Sequence, residues 1–72
     1  MPDDARTAAA WTAAFAARLG VDPPSDEQVE LLLDLAGVAA HASERTAAPI
    51  ACWLVGQSGV APAAALELAR EV

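Results

Sequence analysis

The sequence predicts an all-α fold, a compact bundle of three to four short helices in a single domain over residues 1–72. Three observations carry this. Large apolar side chains recur three and four residues apart, helix caps punctuate those runs, and no window alternates apolar and polar residues as a half-buried strand would.

The first helix is expected over about 4–19. Trp11, Phe15 and Leu19 recur every four positions and so form one stripe, which is expected to face the core. Asp3 and Asp4 suit the helix start. Arg18, Leu19 and Gly20 have the order of a basic last turn followed by a left-handed glycine cap, with Val21 placed to fold back.

The second helix, 25–44, opens on "VDPPSDEQV". Ser25 and Gln28 have capping-box spacing, Asp26 and Glu27 suit the positive end of the helix dipole, and Pro24 is placed to staple against Val29. Its expected apolar face is Val29, Leu32, Leu33, Ala36 and Ala40, widened by Leu31, Leu35 and Val38, which makes this helix central and packed on more than one side.

Pro49 suits only a first helical turn, so "TAAPIACWLVGQSG" reads as a turn and a short third helix, 49–58, closed by Gly59. Trp53 and Leu54 are expected to be buried against the second helix. Pro62 starts the fourth helix, 62–71, with either Leu66 and Ala69 or Ala65 and Leu68 facing inward.

A chain of 72 residues buries only about 60% of its unfolded surface, so a protein partner or a second copy is expected to cover part of it. Hydrophobic residues make up 56% of the chain, but much of that is alanine, which builds helix interfaces without a large core. Ten acidic residues against four arginines give a formal charge of −6, which repels phosphate backbones and argues against nucleic acid as a partner. Glu30, Asp34 and His41 interrupt the longest apolar helix, so no membrane span is expected. One cysteine, and an N-terminus "MPDDARTAAAW" without a basic start or an unbroken apolar run, point to the cytoplasm.

Chemistry-bearing motifs are few. "GQSGV" lacks the glycine two residues after the serine that a nucleophile elbow needs, and reads as a helix end. His41 and Cys52 stand alone on different elements, which is no zinc site, and Cys52 beside Trp53 and Leu54 reads as a small core residue. The four glycines follow neither nucleotide-binding spacing. No cofactor is expected.

There remains a polar stripe on the second helix, where Glu30, Asp34, Gly37, His41 and the pair Glu44 and Arg45 follow spacings of three and four. Glycine in a helix interior costs about 1 kcal/mol relative to alanine, so Gly37 suggests that a ligand or a neighbouring helix approaches the backbone there. One reading makes Gly37, His41 and Arg45 a small anion-binding notch. The other, which the helix-end position favours, has His41 and Arg45 satisfy terminal carbonyls and tie down the "RTAAP" turn. No nucleophile or orienting partner accompanies the histidine, so no catalytic residue is assigned.

The segments "DLAGVAAHASERTAAPIACWLVG" and "AAWTAAFAARLGVD" resemble a small actinobacterial family of unknown function, matching it at Ala40, His41, Arg45, Ala47, Ala48, Pro49, Ile50, Leu54 and Gly56. Members of that family look like free-standing proteins or C-terminal extensions of molybdenum cofactor guanylyltransferases. The resemblance implies an accessory role near molybdopterin guanine dinucleotide synthesis. The nucleotidyltransferase's own glycine-rich signature is missing from the chain, so that enzymatic activity is not expected here. The sequence therefore supports a non-catalytic helical module that binds a protein partner or itself. The alternative is a small-ligand or anion-binding module using Gly37, His41 and Arg45.

Overall fold

The computed structural model describes residues 7–72. They form four helices, α1 (Ala8–Leu19), α2 (Asp26–Ala42), α3 (Ala47–Ser58) and α4 (Pro62–Arg70), within an envelope of 41 × 24 × 18 Å. No strand occurs among the described residues. The all-α expectation holds.

The boundaries follow local chemistry. Thr7, in an extended conformation, caps α1 by accepting the Ala10 N–H on its side chain at 3.1 Å, so the helix starts at Ala8 and not near residue 4. Asp3 and Asp4, expected to cap it, lie outside the described residues. At the other end Gly20 adopts φ +80°, and the N–H groups of Gly20 and Val21 donate to the carbonyls of Ala17 and Ala16 at 3.2 and 3.0 Å. A β-carbon would oppose this left-handed geometry, which explains the glycine.

The capping box of α2 is complete: Gln28 N–H donates to Ser25 Oγ at 3.1 Å, and Ser25 N–H donates to Gln28 Oε1 at 2.8 Å. The helix ends at Ala42, two residues before the expected Glu44. Helix α3 starts at Ala47, which places Pro49 in its first turn, where an N–H has no intrahelical partner to lose. Ser58 Oγ donates to the Val55 carbonyl and accepts from the Val60 N–H, and Gly59 closes α3 at φ +76°. The "GQSGV" segment is a helix end.

α2 is the central element, with α3 and α4 each packed on it. Their meeting point is Leu35, 2% exposed, clustered with Ala65 and Leu66 of α4 and flanked by Leu31 and Val38 of α2, Ala51, Cys52 and Val55 of α3, and Ala69 of α4. Thus the inner face of α2 is Leu31, Leu35 and Val38. Val29 and Leu33, placed inside by the sequence pattern, are exposed. On α4 the pair Leu66 and Ala69 faces inward together with Ala65, while Leu68 faces out.

Two expectations are overturned. Trp53 and Leu54 are 63% and 55% exposed and do not bury against α2; Ala51, Cys52 and Val55 occupy that face of α3 instead. Likewise Trp11, Phe15 and Leu19 face away from the core, and the one buried residue of α1 is Ala16. In α3 the small side chains face inward. A helix approaching through alanine and cysteine comes close enough to exclude its bulky residues from the interface, whichever stripe carries the greater hydrophobicity.

Leu35→Ala is therefore expected to lower unfolding stability by about 2–5 kcal/mol, and Ser25→Ala by about 1 kcal/mol, in urea titrations followed by far-ultraviolet circular dichroism. A loss below about 1 kcal/mol for Leu35→Ala would place the core elsewhere.

Candidate functional site

The polar stripe of α2 is the first place to look for a site. Gly37 and His41 line one open cleft with Leu33, Asp34, Val38, Ala42 and Arg70. Arg45 is not part of that cleft. It lies past the end of α2, in the turn before α3, so the four-residue helical spacing from His41 is broken before Arg45 is reached. The basic group that joins His41 comes from α4 instead. Arg70 is already engaged, with its Nη1 2.8 Å from Glu67 Oε2. An anion entering the cleft would compete with Glu67 for the guanidinium and would meet the Asp34 carboxylate beside it.

The reading in which His41 and Arg45 tie down the α2–α3 junction is not what the structure shows. Backbone groups close that junction: Ser43 N–H donates to the Ala39 carbonyl at 3.1 Å, Ala47 N–H to Glu44 at 2.8 Å and Ala48 N–H to Arg45 at 3.2 Å. Both side chains are exposed, and among the described residues neither makes a hydrogen bond. A tight 43–46 turn supplies its own donors, leaving the side chains free to solvent. Gly37 is not in close contact with a neighbour either. A β-carbon built there meets nothing within 4 Å, so no neighbouring helix approaches its backbone.

No group of three or more His, Cys, Asp or Glu residues is arranged to hold a metal ion among the described residues. Cys52 is half-buried on the α2 side of α3, its thiol 4.0 Å from the Leu32 carbonyl. That is a packing position, since the sulfur faces a carbonyl and apolar neighbours and no cation.

The more extensive feature is apolar. α3 and α4 lie on α2 without packing extensively against each other, which leaves a groove between them floored by Leu35, Val38 and Ala42. Its walls are Ile50, Ala51, Leu54 and Val55 on one side and Ala65, Leu68 and Ala69 on the other. The part nearest the α2–α3 turn is a cleft of about 520 Å³. Among the described residues Glu44 is the one charged side chain lining the groove. A second apolar surface lies on α1, where the Trp11 and Phe15 rings sit 5.1 Å apart with their planes tilted by 37°.

The repeat of Ile50 and Leu54 four residues apart was a visible signal for the groove, masked by the adjoining Trp53. Arg70 carried no such signal, because it meets His41 across two helices.

A family model described as a domain of unknown function, DUF6457, matches residues 3–72. The chain belongs to the DUF6457 family. No curated protein and no solved structure matches it. Membership in DUF6457 thus covers the groove, the polar cleft and α1 together. Among the described residues no helix is long and apolar enough to cross a membrane.

His41→Ala and Arg45→Ala should each change unfolding stability by no more than about 0.5 kcal/mol. Gly37→Ala should raise it by about 1 kcal/mol, since the site is helical and open. Thermal and urea denaturation check all three. A loss above about 1 kcal/mol for either polar residue would restore it to a structural role.

Proposed function

We propose that this DUF6457 chain is a non-catalytic helical interaction module that works in the cytoplasm by presenting apolar helix faces to protein. One observation carries the reading: all three aromatic side chains, Trp11, Phe15 and Trp53, together with Ile50 and Leu54, are each about half exposed or more. Leaving apolar surface in water forgoes about 25 cal/mol per Å². Contiguous exposed patches of this kind mark interaction surfaces more often than they occur on isolated monomers.

A non-catalytic role is supported by the chemistry at hand. Among the described residues the histidine has no orienting partner, the cysteine is packed against a carbonyl, and the cleft's guanidinium is held by Glu67. An accessory role beside molybdopterin guanine dinucleotide synthesis rests on the sequence resemblance alone. It would make the guanylyltransferase, or a protein acting with it, one partner to examine.

A photo-crosslinking amino acid placed at Phe15 or at Leu54 in the full-length chain should form discrete covalent adducts with protein in cells. The same probe at Glu30, on the exposed acidic side of α2, should form none. Equal labelling from all three positions, or none from any, would overturn the reading.

A further inference from the structure

We propose that the groove between α3 and α4 seats α1 of a second copy of this chain, so that two copies exchange first helices in a closed reciprocal pair. The proposal deepens the interaction-module reading and rests on it.

The shape of the chain gives the first argument. α2, α3 and α4 fill three positions of a four-helix arrangement, and the fourth, over Leu35 and Val38 between α3 and α4, is open. The same chain carries a helix with nowhere to put its apolar stripe: α1 buries only Ala16 and leaves Trp11, Phe15 and Leu19 outside. α1 and α3 are both 12 residues long, about 18 Å each. One helix therefore spans the other's groove wall from end to end.

Charge gives the second. Within Ala8–Leu19 the only charged residue is Arg18, seven positions after Trp11 and hence on the same stripe. Among the described residues Glu44 carries the groove's only charged side chain, at its α2–α3 end. A helix laid in the groove with its C-terminal end toward that turn brings the two opposite charges together. No other described helix has a net positive charge, so α1 is the element that suits this acidic chain.

Area gives the third. The exposed parts of Trp11, Phe15 and Leu19, with those of Ile50, Leu54 and Leu68, amount to on the order of 700 Å² per copy. A standard stable interface buries roughly 800 Å² per partner. A reciprocal exchange uses both surfaces of both copies under one two-fold axis, so the pair closes and does not grow. Trp53 is adjacent to Leu54 in sequence, about 100° round the helix, and stays outside the seat.

Sedimentation equilibrium of the full chain should give twice the 7.3 kDa monomer mass. In a Trp53→Phe background the emission of Trp11 should shift to the red as the pair dissociates on dilution. The double change Trp11→Asp with Phe15→Asp, and separately Leu54→Asp, should each give a helical monomer. Mixing those two variants should give a one-sided pair weaker than the parent, because only the intact α1 of the Leu54→Asp chain meets an intact groove. Arg18→Glu and Glu44→Arg should each weaken the pair, and their combination should recover it, a readout that does not depend on the aspartate variants folding. A parent chain that stays monomeric into the millimolar range, a mass that keeps rising with concentration, or a combined Arg18→Glu and Glu44→Arg pair no stronger than either change alone would each overturn the proposal. Monomer with persisting photo-adducts to other proteins would remove the second copy as the occupant and leave the interaction-module reading standing. Loss of all adducts would remove both.

Discussion

The close approach of three helices around Leu35 is the constraint on which the rest of the structure depends. Only a leucine flanked by small neighbours, Ala51, Cys52, Ala65 and Ala69, allows α3 and α4 to reach α2 from two sides. Close packing gains dispersion contacts, but it leaves no volume for a tryptophan. Trp53 and Leu54 of α3 are turned outward as a result, and α1, which has no residue in that cluster, leaves Trp11, Phe15 and Leu19 on the surface as well.

This explains which parts of the fold were legible in the sequence. Caps were, because they depend on residues within a few positions: Ser25 with Gln28, Gly20 after Arg18, Gly59 after Ser58. Which face of each helix turns inward was not. Periodicity identified the stripe of Trp11, Phe15 and Leu19 but carried no information on whether a partner within the chain exists for it, and size favoured the wrong face of α3. On α2, a helix apolar nearly all round, the pattern centred the inward face on Val29, Leu32, Leu33, Ala36 and Ala40 and gave Leu31, Leu35 and Val38 only as its widening, whereas the core is built on those three.

The candidate site was legible to the same degree. Gly37 and His41 share a cleft because one helix carries both, as their spacing implied. Arg45 leaves them because α2 ends at Ala42, and a boundary shift of two residues is enough to take a side chain off a helical face. The groove between α3 and α4 depends on how two helices straddle a third, which no local pattern encodes. An interaction surface of this kind follows from a core too small for the chain's large side chains, and family membership in DUF6457 extends over all of it.

The cooperative core is α2 with α3 and α4 around Leu35, and α1 stands outside it. Amide hydrogen exchange measured residue by residue on the monomeric Leu54→Asp chain tests this most directly. The slowest amides should lie in the turns of α2 and α4 around Leu35 and Leu66, with those of α1 exchanging far faster and by a separate opening. If the amides of α1 exchange as slowly as those around Leu35, through one shared global opening, then α1 belongs to the core and the account is wrong.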